Sequence, residues 1–173
     1  MQGPDYSKPP CLDKLLGMDP ANQEVQLKHS WNNDDRSNNI TVMEDNLTFR
    51  RNGGTGSTDC IRGKVGYTRG LHVWEINWPR NQRGTYPVVG VATADAPIFS
   101  MSYESLVGSN NKSWGWDMRR NKLYHNQQEC TYPKILQEDE SLVVADSFRV
   151  VLDMDEGMLS FIVNGQYLGV AFK

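Results

Sequence analysis

The sequence has no long apolar run, no excess of charge of one sign, and very little cysteine or histidine. No apolar stretch approaches the roughly 18 residues that a membrane-spanning helix needs, so the sequence predicts no transmembrane segment. Its 18 basic and 21 acidic residues give a net charge of −3, which argues against a nucleic-acid binder that works by neutralising phosphates. The amino terminus lacks the basic start and apolar stretch of a signal peptide, so we expect a cytoplasmic or nuclear location.

Cysteine and histidine are too scattered to indicate a disulfide framework or a metal centre. The three cysteines stand at positions 11, 60 and 130, without CxxC spacing, and free thiols are the simplest interpretation. The three histidines, at 29, 72 and 125, lie far apart and beside strand residues, which favours structural roles. The sequence also lacks a phosphate loop, a dinucleotide-binding fingerprint and a Gly-x-Ser-x-Gly motif. It therefore predicts no catalytic residue, no metal and no cofactor.

Short β-type runs separated by turns organise most of the chain. Residues 1–10 contain three prolines and predict a flexible N-terminal arm, and leucines at helical spacing predict a short helix with its connection over 11–24. From 25 to 173 the spacing of strands and turns is typical of an all-β, antiparallel sandwich domain. The predicted strands are Ile40–Met43, Leu47–Arg50, Ile61–Val65, Leu71–Trp78, Val88–Thr93, Ser113–Met118, Lys122–His125, Phe148–Met154, Leu159–Val163 and Tyr167–Phe172.

Two local patterns predict the core-facing side of one strand and the turns that connect the last three strands. In the strand over 71–78, one face carries His72, Trp74, Ile76 and Trp78, and this aromatic face is the better candidate for the core. Near the end of the chain, an acidic turn over 153–157 and the Asn164-Gly165 pair separate three β-type runs. These turns predict a meander of three antiparallel strands.

Two connections are candidates for a binding function. The segment over 52–56 is rich in glycine, which lets backbone amides approach a ligand closely. The connection over 96–113 is long for a compact β domain and carries Phe99, Met101, Tyr103, Leu106 and Val107. Long loops that carry apolar side chains are often functional.

Several stretches together resemble the SPRY (B30.2) domains of the SPRY and SOCS-box proteins. They are STDCIRGKVG at 57–66, GLHVWEI at 70–76, VVGVATA at 88–94, SWGWD at 113–117, KLYH at 122–125 and LDMDEG at 152–157. The resemblance extends from about Leu12 to Lys173. It implies a bent, concanavalin-like sandwich of two antiparallel sheets whose loops form a peptide-binding surface.

The resemblance also implies a function and a set of contact residues. Members of this family are substrate receptors of cullin-RING ubiquitin ligases, without catalytic activity of their own. They bind (Asp/Glu)-(Ile/Leu)-Asn-Asn-Asn segments in targets such as the helicase Vasa, the prostate apoptosis response protein and inducible nitric oxide synthase. Carried over to this sequence, the peptide contacts are expected at Arg51, Gly53, Thr55, Thr85, Tyr103, Leu106, Val107 and Gly108.

The sequence departs from the family pattern at two places. The family loop after the arginine usually reads Pro-Val-Ala, whereas here it reads Gly53-Gly54-Thr55, so looser backbone contacts are expected. The sequence ends at Lys173, before the family's closing strands and before a SOCS box. We therefore expect an incomplete SPRY domain over 25–173, and elongin B/C and cullin as partners only through a SOCS box outside this chain.

Two other functions remain as alternatives. The first is a lectin-like sandwich that stacks sugars on exposed tryptophans, and burial of the five tryptophans would remove its platform. The second is a catalytic β protein, which needs a cluster of histidines and carboxylates that the sequence does not indicate. Neither a nucleic acid nor a membrane is expected as a partner.

Overall fold

The computed structural model describes residues 4–54 and 56–173 and consists mainly of β-strands. The helices are α1 (Leu12–Leu16), α2 (Gln23–Lys28) and a 3-10 turn (Arg80–Gln82). The strands are β1 (Trp31–Arg36), β2 (Ile40–Val42), β3 (Phe49–Arg51), β4 (Thr58–Asp59), β5 (Ile61–Gly63), β6 (Leu71–Asn77), β7 (Val88–Ala92), β8 (Phe99–Ser100), β9 (Ser113–Asp117), β10 (Lys122–His125), β11 (Gln128–Thr131), β12 (Ser147–Asp153), β13 (Met158–Val163) and β14 (Gln166–Phe172). None of the described helices has the length and apolar character needed to span a membrane.

Two four-stranded antiparallel sheets form the body of the domain. One has the strand order β14-β13-β12-β6 and the other β11-β10-β9-β7. The pairing of β12 with β13 and of β13 with β14 confirms the predicted C-terminal meander. Three two-stranded ladders, β1-β5, β2-β3 and β4-β8, complete the described strands.

The main core lies between the two sheets and is built largely from aromatic rings. Trp116 of β9 is fully buried, and its ring centroid lies 4.6 Å from Phe161, 5.4 Å from Tyr132 and 6.4 Å from Phe148. Side chains from both sheets share this cluster, which confirms the predicted sandwich. Trp74 packs against it as predicted, although its ring is only half-buried.

A smaller cluster covers the opposite face of the β12-β13 pair. Leu12 of α1 is 1% exposed and packs with Val151 and Ile162. The first helix therefore docks on the body of the domain through leucine, with Leu16 packing against the same cluster. Burial of these side chains stabilises a helix that is too short to form alone in water.

The N-terminal segment over 4–10 has no regular secondary structure but lies along β14. The backbone N–H of Val170 donates to the carbonyl oxygen of Asp5 at 2.7 Å, and the hydroxyl of Tyr167 donates to the carbonyl oxygen of Ser7 at 3.0 Å. Pro9 is buried. The segment therefore supplies hydrogen-bond partners to β14, whose neighbour in the sheet is β13.

The segments that the sequence pattern missed are short and polar. We expected strands from residue 25 onward, but α2 occupies Gln23–Lys28, with the side chain of Asn22 accepting from the Val25 N–H at 2.9 Å as its N-cap. Strand β1 has the sequence WNNDDR, which shows no apolar alternation. It forms because it pairs with β5, which is a tertiary contact rather than a local preference.

Candidate functional site

Arg51 at the end of β3 is held in one orientation by two neighbouring groups. Its Nε donates to Asp59 Oδ2 at 2.7 Å, and its Nη2 donates to the carbonyl oxygen of Ser57 at 2.7 Å. The Asp59 side chain is inaccessible to solvent, whereas 36% of the Arg51 side chain is exposed. The guanidinium is therefore anchored on two acceptors, while part of the Arg51 side chain reaches solvent.

The carboxylate of Asp59 also accepts from three further side chains. Ser37 Oγ donates at 2.5 Å, Ser57 Oγ at 2.9 Å and Asn39 Nδ2 at 3.2 Å. Desolvation by burial acts to raise the pKa of Asp59, but the hydrogen bonds from Ser37, Arg51 and the other donors outweigh it, so the pKa lies below its ordinary value. Asp59 is thus an ionised carboxylate that joins three stretches of the chain, namely 37–39, the end of β3 and its own segment.

The β4-β8 pair brings the Arg51 segment beside the long connection over 96–113. Asp59 faces Phe99 in the register of this pair. The hydroxyl of Thr58 donates to the carbonyl oxygen of Ser102 at 2.8 Å and accepts from the Glu104 N–H at 3.0 Å. The two connections that the sequence singled out are therefore neighbours.

Large apolar side chains stand exposed at this junction. Met101 is 83% exposed, Tyr103 57% and Phe99 43%. Phe99 and Met101 line a hollow of about 220 Å³, together with Asn39, Gly56 and Ser57. The lining of this hollow is mainly apolar. Its polar side is formed by Asn39 and Ser57, which are hydrogen-bonded to each other and to Asp59.

Thr85 lies in a second group of contacts, centred on Arg120. The carbonyl oxygen of Thr85 accepts from Arg120 Nη1 at 2.8 Å, and the Arg120 guanidinium stands 4.3 Å from the centre of the Tyr86 ring. The buried carboxylate of Asp117 accepts from the same guanidinium at 2.9 Å. Thr85 itself is exposed.

Residues 106–108 hold the long connection in place and present little side-chain surface to a ligand. Leu106 is 4% exposed and belongs to the core. Gly108 is buried, adopts φ +98°, and donates its N–H to Ser113 Oγ at 2.7 Å, so its amide is already paired. A Cβ atom on Gly108 would overlap the backbone of Tyr124, which explains why glycine stands there.

The predicted contact residues thus fall into three classes. Arg51 and Tyr103 lie at the same junction and are accessible, and Gly53 beside them is exposed. Thr85 is accessible in the separate group around Arg120, while Leu106 and Gly108 are buried and Val107 is half-buried. Thr55 lies outside the described residues.

The sequence reasoning missed Asp59 and the hydroxyl and amide groups around it. Asp59 lies inside the STDCIRGKVG stretch, but nothing in its local pattern indicates a buried carboxylate. A possible signal was the Ser57-x-Asp59 spacing after a glycine-rich loop, since such short polar side chains often hydrogen-bond locally. The long-range partners Ser37 and Asn39 carried no comparable signal.

The histidines and cysteines have structural surroundings. His29 Nδ1 lies 2.6 Å from the Tyr67 hydroxyl, His72 Nε2 lies 2.8 Å from the Arg69 carbonyl oxygen, and His125 Nδ1 lies 2.8 Å from the Ser113 carbonyl oxygen. The cysteines are free thiols, as expected. Within residues 4–54 and 56–173, no three His, Cys, Asp or Glu side chains group as metal ligands would.

All five tryptophans lie in the described part of the chain, and none of them is exposed. Trp116 is buried, and Trp31, Trp74, Trp78 and Trp114 are half-buried. Trp114 stacks on His125 with ring centroids 4.7 Å apart, and Trp31 packs edge-on against Phe49 at 4.8 Å. The exposed platform that a sugar-stacking site requires is therefore not supplied by these tryptophans.

Comparison with known proteins adds a family match and close relatives. The SPRY domain matches residues 71–173. Protein gustavus of Drosophila melanogaster is 62% identical over 98% of this chain, and SPRY domain-containing SOCS box protein 1 of Homo sapiens is 62% identical over 100% of it. Human SPRY domain-containing SOCS box protein 2 is 49% identical over 98% of the chain. The chain spans 62 to 65% of the length of these relatives.

A solved structure supports the architecture independently. The structure of stonustoxin superposes with a TM-score of 0.55 at 20% identity, over 81% of this chain and 22% of that chain. At 20% sequence identity, this similarity indicates a shared fold and nothing further. The shared architecture agrees with the two packed antiparallel sheets described above.

Proposed function

This chain belongs to the SPRY domain family, and from that premise we propose that it is a non-catalytic protein-interaction module that binds a short linear peptide. The observation that carries the proposal is the junction of Arg51 and Tyr103, where an anchored cation and an exposed aromatic ring lie on adjoining segments. The proposed ligand is an (Asp/Glu)-(Ile/Leu)-Asn-Asn-Asn segment of a target protein, the motif expected from the resemblance.

The donors at the junction suit an asparagine-rich ligand. Each asparagine side chain carries one carbonyl acceptor and two N–H donors, and these need partners when the peptide covers them. Arg51 offers a charged donor whose plane is fixed by Asp59, and Tyr103 offers a ring with a hydroxyl group. A peptide that lacks these amides would leave buried groups unpaired at about 1–3 kcal/mol each, which favours the matching sequence.

The apolar hollow beside the junction suits the aliphatic residue of the same motif. Phe99 and Met101 expose large apolar surfaces next to Asn39 and Ser57, so one ligand side chain can leave water without displacing a polar group. Methionine adapts its shape to different partners more readily than branched side chains do. This arrangement supports a bound peptide that passes over both the hollow and Arg51.

The relatives extend the proposal from peptide binding to substrate recruitment. Two of them are SPRY domain-containing SOCS box proteins by name, so we propose that this domain selects targets for a ubiquitin ligase in the cytoplasm. In that role elongin B/C and cullin bind a SOCS box, and the SPRY domain binds the target. Candidate targets are the Vasa-like helicase, the prostate apoptosis response protein and inducible nitric oxide synthase.

Isothermal titration calorimetry with an Asp-Ile-Asn-Asn-Asn peptide tests the proposal. We expect saturable binding of one peptide per chain, at least tenfold weaker binding of an Asp-Ile-Ala-Ala-Ala peptide, and no binding of a mannose or galactose oligosaccharide. Equal affinity for both peptides would contradict the asparagine specificity. Saturable binding of the oligosaccharide alone would favour the lectin-like alternative.

A further inference from the structure

Four side chains from three stretches of the chain donate to the Asp59 carboxylate. They are Ser37, Asn39, Arg51 and Ser57, at distances between 2.5 and 3.2 Å. Two of these donors, Arg51 and Ser57, flank the glycine-rich connection over 52–56. The residues on either side of this connection therefore donate to the same buried carboxylate.

The buried Asp153 shows what an ordinary structural role looks like in this domain. Asp153 accepts from the backbone N–H groups of Asp155 and Glu156, both at 3.0 Å. Its carboxylate closes the turn that follows its own strand. Asp59 instead collects side chains across separate segments, which is the arrangement expected of a group that orients other side chains.

We propose that Asp59 is a positioning residue that pre-organises Arg51 and Ser57 for the peptide. The inference rests on the proposed function, because it gives Asp59 an indirect role in the same binding site. Asp59 does not touch the ligand, since its side chain is inaccessible to solvent. Its effect on affinity is transmitted through the orientation of the Arg51 guanidinium.

The physical basis is the loss of freedom that a long side chain suffers on binding. A free arginine has many rotamers, and fixing it on a ligand lowers the affinity by the entropy that is lost. Here Asp59 holds Nε and the Ser57 carbonyl holds Nη2, so the guanidinium plane is set before the peptide arrives. The lowered pKa of Asp59 agrees with a carboxylate that stays ionised at neutral pH and keeps this pairing intact.

A double-mutant cycle separates positioning from simple structural support. Asp59→Asn keeps the shape of the side chain but removes its charge, and we expect peptide affinity to fall about tenfold, a typical loss for one charged hydrogen bond. In an Arg51→Ala background the same substitution should change affinity less than twofold, because no guanidinium remains to be oriented. All affinities are measured by calorimetry at a temperature at which circular dichroism shows every variant folded.

Direct observation of the arginine provides a readout that does not depend on peptide. The Arg51 Nε–H should give a slowly exchanging, shifted NMR signal in the wild-type chain, because it donates to a buried carboxylate. The signal should move to the position of a free arginine in Asp59→Asn. If Asp59→Asn does not fold, Ser37→Ala removes only one donor to the carboxylate and should give the same changes at smaller size.

Asp153→Asn is the matched control, since it removes the charge of another buried carboxylate outside the junction. Asp153 is 3% exposed and accepts from the backbone N–H groups of Asp155 and Glu156, both at 3.0 Å. We expect this variant to lose stability but to bind the peptide within twofold of wild type.

Two outcomes would overturn the inference while leaving the proposed function intact. They are an equal loss of peptide affinity on Asp59→Asn in both backgrounds, and an unchanged Arg51 NMR signal. Absence of peptide binding by the wild-type chain would overturn both.

Discussion

The carbonyl oxygen of Val107 occupies the space in which a side chain of Gly115 would stand. A Cβ atom on Gly115 would overlap this oxygen and would lie 2.5 Å from Val88 Cγ1. The long connection over 96–113 therefore rests on the bare backbone of β9. Its position depends on a residue that has no side chain.

Gly115→Ala should lift this connection from the sheet. We expect the substitution to lower the free energy of unfolding by about 2 kcal/mol, as overpacking of a filled site usually does, and to weaken peptide binding. Urea denaturation and calorimetry measure the two effects. The control is Gly66→Ala, where an added Cβ would meet no atom within 4 Å. Equal behaviour of the two variants would show that the connection is not seated on Gly115.

Arg51→Ala and Tyr103→Ala should each weaken peptide binding without unfolding the domain. Both side chains reach solvent from adjoining segments, and removal of a charged donor or an aromatic anchor commonly costs about 2 kcal/mol at a hot spot. Ile135→Ala serves as the control, because Ile135 is 62% exposed and lies in the connection between β11 and β12. Unchanged affinity in both site variants would place the ligand elsewhere on the domain.

Trp116→Ala should destabilise the fold more than any other tryptophan truncation. Its ring is fully buried among Tyr132, Phe148 and Phe161, so we expect a loss of about 3–5 kcal/mol. Trp116→Phe should cost less, since it keeps a ring and removes a buried indole N–H that has no hydrogen-bond partner among the described residues. The half-buried Trp74 provides the comparison by urea denaturation. A larger loss for Trp74→Ala than for Trp116→Ala would be inconsistent with this core.

Asp59 should make the stability of the domain sensitive to acid. Its pKa in the folded chain lies below the ordinary value of 3.8, so the unfolded chain takes up the proton first as the pH falls. The stabilisation is complete above that ordinary value and is lost as the pH falls through the folded-state pKa. We therefore expect the difference in unfolding free energy between wild type and Asp59→Asn to be constant from about pH 5 to 8 and to shrink below about pH 4. A difference that stays constant down to pH 2.5 would contradict the assignment.

Cys60 should be the least reactive of the three thiols. Burial raises its pKa to about 11, whereas Cys11 and Cys130 are exposed. Because only the thiolate reacts, about one Cys60 in a thousand is reactive at pH 8 even when reagent can reach it. We expect iodoacetamide to modify Cys11 and Cys130 in the native chain and Cys60 only in urea, as followed by mass spectrometry. Comparable native rates for all three would show that Cys60 is accessible.

Short-range patterns were sufficient for much of the fold. The predicted strand over Lys122–His125 agrees with β10 to the residue, and the Asn164-Gly165 pair joins β13 to β14 as expected. Turn chemistry and alternation act over a few residues, so they can be recognised without knowing what the strand packs against. Helix α2 and strand β1 escaped this reasoning, because an N-cap at Asn22 and pairing with β5 outweigh the local composition.

Some features of the candidate site could likewise be predicted from the sequence, and others depend on the tertiary structure. The sequence by itself indicated the two connections, and its resemblance to the SPRY and SOCS-box proteins indicated Arg51 and Tyr103. Only the tertiary structure decided that Arg51 is anchored on a buried Asp59 and that Leu106 lies in the core. The reason is that the Asp59 carboxylate gathers donors from positions 37 to 57 through the pairing of β2 with β3 and of β1 with β5. No local pattern records which segments those pairings bring together.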